Sequence, residues 1–261
     1  MKQKFLTIAT IFLTMTLGSI FCRIGSRPIS DGFPILEYHM ITDSPDETSF
    51  EYSIPPEIFA NQLDFLLDQG YLTITLRDFE RARRGEIDLP ENPIVLTFDD
   101  GYSDNFYELL PILESRKQVA VIYIVANLIG TPGYLTWGEI QELQRHGIEI
   151  GCHTANHMPL ENLSINDLQR EILDSKRFIE IHGIAVESFS YPNGIYDSEV
   201  QKFLSNGDYT SAVTGKSGLN NFATARFELH RTNIPHPKIE SLAMLEFELR
   251  LIKSKFQTEQ E

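Results

Sequence analysis

Two acids side by side, Asp99 and Asp100, close the apolar run from Ile94 to Phe98 in "LTFDDGYSDN". Adjacent carboxylates repel one another and both resist burial, so something must neutralise at least one of them. Successive residues of a strand point to opposite faces, so the two need not share a task. A second pair, His153 and His157 in "IEIGCHTANHMPL", stands four residues apart. That spacing puts two side chains on one face of a helical turn, where two imidazoles can share one ion. A carboxylate from a neighbouring strand end completes a two-His-one-carboxylate set, with positions left open for water and substrate. Taken alone, each histidine reads as an ordinary surface or hydrogen-bonded residue, and the double Asp as a helix cap. The cap reading leaves the apolar strand that feeds it unexplained.

The elements that must position these residues alternate along the chain. Past residue 30, "FPILEYHMI" reads as a buried strand and "PPEIFANQLDFLLDQG" as an amphipathic helix. That helix puts Ile58, Leu63, Leu66 and Leu67 on one face and stops at Gly70. "NPIVLTFDDG" is a strand, "NFYELLPILESRK" a helix bent at Pro111, and "QVAVIYIVAN" a strand. "TWGEIQELQRHG" is a helix with Thr136 as N-cap, Glu139 completing a capping box and Gly147 as the stop. "IEIGCHT" is a strand, followed by a long helix capped by Ser164, a strand "ESFSYP", a helix "DSEVQKFLSNG" and a strand "YTSAVTG". "FELHRTNI" is the expected last strand and "KIESLAMLEFELRLIKSK" the last helix. Alternating βα units with continuously apolar strands imply a parallel sheet covered by helices. About seven strands suit an α/β barrel, closed or nearly so, with a doubly wound open sheet as the alternative. No Gly-rich nucleotide fingerprint follows a strand.

In a parallel barrel the chemistry collects at the C-terminal strand ends. His39 ends the first strand, Asp99 and Asp100 the second, and His153 and His157 follow a later one. Tyr191, Pro192, Asn193 and Gly194 follow the next, and His230 and Arg231 lie in the last. Carboxylates and imidazoles from distant parts of the chain therefore converge on one rim. Tyr102, Trp137, Tyr191 and Tyr196 are aromatic candidates for a groove, with ordinary packing as the alternative. His146, His182 and His236 read as bystanders.

Composition bounds the rest. The chain has 261 residues, is 42% hydrophobic and 23% charged, and carries a net charge of −15. A sizeable core is available, and nucleic acid is an unsuitable partner because phosphate binding needs a basic stripe. Lys2 and Lys4 precede an apolar run from Phe5 to Phe21, the layout of an export signal. Residues 1–28 are expected to be a cleaved signal or a membrane anchor; Cys22 lacks the small preceding residue of a lipid-anchored cysteine. Export puts the catalytic domain, residues 33–255, outside the cytoplasm, with the lysines inside. Two cysteines make no disulfide framework, and Cys152 reads as a small core residue.

"LTFDDGYSDN", "IEIGCHTANHMPL" and "FSYPNG", in this order, resemble the polysaccharide deacetylases of carbohydrate esterase family four. "ILEYHMI" is similar to the branch that de-N-acetylates extracellular poly-N-acetylglucosamine, in which the family motifs are circularly permuted. The resemblance spans residues 33 to 236. It implies a distorted (β/α) barrel and a hydrolase that releases acetate. It implies Asp100, His153 and His157 as ligands of a divalent metal, zinc for preference, with cobalt, nickel, manganese or iron compatible. Asp99 is then the general base, Thr154 a ligand-orienting position, and Asn193 part of a groove wall with an oxyanion-binding N–H. Tyr102, Thr154, Tyr191, Pro192, Asn193 and Gly194 make up the expected substrate-facing set. The implied partner is an extracellular or cell-wall polysaccharide, with no protein partner.

The sequence departs from the family at Ser190, where an arginine usually orients the base. Arg231 is the best substitute. The general acid is His39 or His230, and strand alternation keeps His230 off the rim if Arg231 faces it, which favours His39. Xylan, peptidoglycan, a non-sugar amide, or a catalytically silent carbohydrate-binding domain remain as alternatives.

Overall fold

Strand and helix alternate through residues 32–45 and 49–235, the part of the chain that the structure, a computed structural model, describes. The export segment with Cys22, the helix expected over 238–255 and His236 lie outside the described residues. In chain order the elements are β1 (Ile35–Tyr38), β2 (Met40–Ile41), β3 (Ser53–Ile54), α1 (Pro56–Asp68), β4 (Leu72–Thr73), α2 (Leu76–Arg83) and β5 (Pro93–Phe98). A π-helical turn, Asn105–Leu109, leads into α3 (Leu110–Ser115). Then come β6 (Val121–Ile124), α4 (Trp137–Arg145), β7 (Glu149–Cys152) and α5 (Ile165–Leu168). A second π-helical stretch, Gln169–Asp174, joins α5 to α6 (Ser175–Glu180). The described elements end with β8 (Val186–Ser190), α7 (Ser198–Asn206), β9 (Ser211–Val213) and β10 (Thr232–Asn233).

Seven strands lie side by side in the order β10-β1-β5-β6-β7-β8-β9, every neighbouring pair parallel, and β4 pairs with the start of β5. The sheet curls toward closure. Leu229 bridges to Val213 at the end of β9, and three residues later Thr232 pairs with Leu36 of β1. This is the barrel expectation rather than the open doubly wound sheet.

The strands are buried on both faces, and the alternation of side chains divides them into two cores. Ile35, Val95, Val121, Tyr123, Val213 and Leu229 pack inside the curl with Phe33 and Phe79. Leu36, Leu96, Ile122, Ile124 and Ile150 face outward onto the helices. Room for the Tyr123 ring depends on Gly151, where a Cβ would stand 2.4 Å from it. Followed up each strand, the inward rows end in polar residues: Ile35, Glu37 and His39; Val95, Thr97 and Asp99; Ser188 and Ser190; Leu229 and Arg231.

Several elements differ from their sequence-based expectation. "FPILEYHMI" is not one strand: it breaks at His39, and β2 leaves the sheet to pair with β3. Helix α1 buries Phe59, Gln62, Leu63 and Leu66, while Ile58 and Leu67 sit only partly covered beside them. Pro111 lies in the first turn of α3. Lacking an N–H, it cannot donate to the Tyr107 carbonyl, and the turn before it widens into the π form. The long helix after Ser164 likewise carries a π stretch. The last strand is short because residues 221–231 run as loop, held to β9 by Leu229. The Thr136–Glu139 capping box and the Ser164 cap form as expected.

Candidate active site

Asp99 is the centre of the rim. It continues the inward row of β5, is 2% exposed, and is gripped from the opposite edge of the curl by Arg231, also 2% exposed. Nη1 donates to Oδ1 at 2.8 Å and Nη2 to Oδ2 at 2.9 Å, a bidentate pair. Ser190 Oγ donates to Oδ2 at 3.0 Å. Arg231 also donates to Thr97 Oγ1 and the Thr214 carbonyl, and its Nε lies 3.3 Å from Glu37 Oε2. Burial pushes the Asp99 carboxyl up, but the Arg231 guanidinium outweighs it and holds it well below the usual carboxylate range.

Asp100 escapes the strand alternation. Its φ of 73° and the 77° of Gly101 turn the chain sharply off β5. A Cβ at Gly101 would sit 2.9 Å from Ile124 Cγ2, so the turn needs glycine. Both acids consequently reach one cluster. His153 Nε2 lies 3.8 Å from Asp99 Oδ2 and 3.7 Å from Asp100 Oδ1, and His157 Nε2 lies 3.4 Å from Asp100 Oδ1.

The two histidines meet without a helix. Thr154 and His157 have φ of 66° and 57°, so residues 153–157 form an irregular turn with two left-handed residues rather than the helical turn that the spacing suggests. Thr154 Oγ1 accepts the His157 N–H at 2.8 Å. Glu171, 2% exposed and carried on the second π stretch, accepts the Ala155 and Asn156 N–H groups and the Asn156 side-chain amide. The ligand loop is thus fastened by a buried carboxylate from a helix.

One ligand atom each from Asp100, His153 and His157 lies within 4.8 Å of the other two. His153 Nδ1 lies 2.8 Å from the Ser190 carbonyl. A carbonyl only accepts, so Nδ1 carries the proton and the Nε2 lone pair faces Asp100. Burial lowers the His153 pKa against the opposing pull of Asp99 and Asp100, which favours the neutral form a ligand needs. Donor atoms about 2.0 Å from one tetrahedral ion stand about 3.3 Å apart, close to the spacings here. The set fits a divalent cation. A second group, Glu37, His39 and Asp99, also has its donor atoms within 4.8 Å of one another. There the Arg231 guanidinium already supplies the positive charge.

The remaining expected residues divide. His39 reaches the rim beside Asp99 and Glu37, with the half-exposed Tyr52 ring 5.2 Å away. His230 does not reach it: its ring packs where a Cβ on Gly218 would lie, and its backbone is bonded to Asn220. Arg231 takes the inward position and alternation turns His230 away. Tyr102 bonds to Asp100 and stacks on Tyr134 at 5.2 Å; burial first, and then Asp100, raises its phenol pKa. Asn193 is exposed, with φ 57°.

Three of the expected substrate-facing residues are corrected. Tyr191 is 0% exposed and donates to the Phe227 carbonyl; it stacks on Tyr196 at 4.4 Å and belongs to the core. Pro192 and Thr154 are buried too. The Gly194 N–H is bonded to the Tyr191 carbonyl, so it is not a free oxyanion donor. Trp137 stacks face to face on His182 at 3.7 Å. Cys152 is buried against Ser175, and His146 lies between Glu114 and Glu142.

Sequence reasoning passed over Glu37, Glu171 and Tyr134, and named Ser190 only as the place of the absent arginine. Stepping back two residues from His39 finds Glu37, since both share one strand face. Glu171 carries no such signal, because the N–H groups that donate to it lie in a loop 15 and 16 residues away.

Comparison with known proteins places this geometry. The family model described as "Polysaccharide deacetylase" matches residues 86–212. YxkH of Bacillus subtilis, assigned as a polysaccharide deacetylase, is 30% identical over 202 residues, covering 77% of this chain and 71% of that protein. The poly-beta-1,6-N-acetyl-D-glucosamine N-deacetylase of Escherichia coli K12 is 28% identical over 142 residues, 48% of this chain and 21% of that much longer protein. The deacetylase PplD of Streptococcus pyogenes, solved in complex with acetate, superposes with a TM-score of 0.75 at 27% identity, over 84% of this chain and 98% of that one.

Proposed function

The chain belongs to the polysaccharide deacetylase family, and from that premise we propose that it is a metal-dependent hydrolase removing N-acetyl groups from a polymer of N-acetylglucosamine, with release of acetate. The observation that carries this reading is the meeting of Asp100, His153 and His157 donor atoms within 4.8 Å, beside an Asp99 held by Arg231. The polymer is read from the likeness to the E. coli enzyme and from "ILEYHMI" at β1.

Asp100, His153 and His157 would hold the ion, for which zinc suits the donors best. A divalent cation there supplies Lewis acidity, polarising an amide carbonyl and acidifying water. Asp99 takes the proton of the attacking water. Arg231 and Ser190 fix its orientation and keep it ionised, so that it is available as a base. Water oxygen bonds to the carbonyl carbon, and the C–N bond then breaks. The leaving amine must gain a proton at that step, or the amide does not part at neutral pH. His39 delivers it from the edge beside Glu37 and Asp99. Tyr102 braces Asp100 from the other side.

The basic-then-apolar run in residues 1–28 supports an exported protein whose catalytic domain, 33–255, works on extracellular or cell-wall polysaccharide. Among the described residues no helix is long and apolar enough to cross a membrane.

Acetate release from a panel of poly-N-acetylglucosamine, peptidoglycan, acetyl-xylan and a non-sugar acetamide tests the proposal. Fastest release from poly-N-acetylglucosamine is expected. Release from the non-sugar amide alone would sink the reading, and preference for peptidoglycan or xylan would move the substrate while keeping the chemistry.

A further inference from the structure

The motif that supplies Asp99 and Asp100 ends in Asp104 and Asn105, and neither belongs to the reacting set. Asn105 is 0% exposed. Its Nδ2 donates to the His39 carbonyl at 3.1 Å and to Asp104 Oδ1 at 2.8 Å. Asn105 thus grips the chain at the break between β1 and β2, and Asp104 orients its amide. That break is where a support is needed. Asp99 N–H to the Tyr38 carbonyl, 3.0 Å, ties the end of β1 to the sheet, and β2 pairs elsewhere. The His39 carbonyl finds its donor in Asn105. A partly buried carbonyl that has left the strand ladder needs another donor, and a primary amide can serve two acceptors at once. The amide oxygen of Asn105 is buried with no partner, so its nitrogen is the working end.

We propose that Asn105 is a positioning residue for the reaction, holding the His39 backbone so that the imidazole stands at the Asp99–Glu37 edge, from which the leaving amine is protonated. This rests on the assignment of His39 as the acid in the proposed function. Asn105 acts only through His39 and touches no reacting atom.

The test compares two substrates whose leaving groups differ in need of a proton: an N-acetylglucosamine oligomer and 4-nitrophenyl acetate, whose nitrophenolate departs unaided. Asn105→Ala, His39→Ala and the double variant are assayed in the zinc-loaded enzyme. Asn105→Ala should lower kcat on the oligomer about 10²-fold, the cost of a misplaced catalytic group, with KM little changed. Its rate on the aryl ester should stay near wild type. In the His39→Ala background the second substitution should add less than about threefold, because the two act as one unit. In metal-free protein the His39 ring resonances should shift in Asn105→Ala while those of His146 and His182 stay. Asn105→Ser, with a single donor, carries the same comparison if the alanine variant does not fold.

Multiplying losses in the double variant, equal loss on both substrates, or an unmoved His39 resonance would overturn the positioning role. Failure of the underlying assignment is separate: His39→Ala would then retain oligomer turnover, or lose ester and amide alike.

Discussion

Replacing Arg231 by methionine tests whether the base is held as described. The side chain keeps its bulk, and the guanidinium goes. Asp99, 2% exposed, loses both arginine bonds at 2.8 and 2.9 Å and keeps only Ser190 Oγ at 3.0 Å. Glu37 loses its partner at 3.3 Å as well. Removing one member of a buried ion pair costs about 3–5 kcal/mol, because a charge is left uncompensated. For a chain of this size that is a fall of about 6–20 °C in Tm. The pH dependence has a definite sign. Asp99 is depressed in the folded state, so its contribution is complete above its unfolded value near 3.9 and is lost only as pH falls through the folded one. Without Arg231, burial dominates and raises the Asp99 pKa. The variant then regains stability by taking up a proton as pH drops below neutrality, and the gap to wild type narrows. Thermal melts of chelator-treated protein from pH 5 to 7.5 read this directly. Arg231→Lys, with the charge but not the fork, should fall between the two. A methionine variant melting within about 2 °C of wild type at pH 7.5, or a gap that stays constant with pH, would refute the reasoning.

Asp99→Asn should retain bound metal by elemental analysis while losing about 10²–10⁴-fold in kcat; undiminished turnover would remove Asp99 as the base. Glu171→Gln keeps the shape but not the charge that gathers the Ala155 and Asn156 N–H groups, and metal affinity should fall about 10- to 100-fold in a chelator competition. Burial pushes the Asp104 carboxyl up to about 7, against opposing bonds from Ile41 and Asn105. A raised acid is a burden above its folded value and none below its unfolded one, so Asp104→Asn should stabilise by about 2–4 kcal/mol at pH 8 and hardly at pH 4. Equal melting shifts at both pH values would contradict that sign.

The alternation of strands and helices, and the rim, were legible because apolar strands and capped helices announce themselves locally. Ile94 to Phe98 had to be a buried strand, and the Thr136–Glu139 box had to start a helix. The convergence of Asp100, His153 and His157 was legible as residue types, but the reason offered for the histidine spacing was not the one the chain uses. An irregular turn, left-handed at Thr154 and at His157, does the work that a helical turn was expected to do, and no periodicity encodes it. The aromatic near Asn193 misled for a related reason. Tyr191 looks like a groove residue in sequence, but it follows a strand whose outward face is core, and it is 0% exposed. Arg231 was legible as the substitute for the arginine absent at Ser190, and alternation, which permits only one of His230 and Arg231 to face inward, then turned His230 away. What alternation could not supply was Ser190's own bond to Asp99, which depends on β5 and β8 facing each other across the curl, 91 residues apart in sequence.

The most direct test of the central claim is acetate release from poly-N-acetylglucosamine by metal-stripped protein titrated with zinc, alongside His157→Ala. Activity absent after stripping, restored at one equivalent of zinc per chain and not restored in His157→Ala is the predicted result. Acetate release that persists in stripped protein, or that survives in His157→Ala at one equivalent, would contradict it.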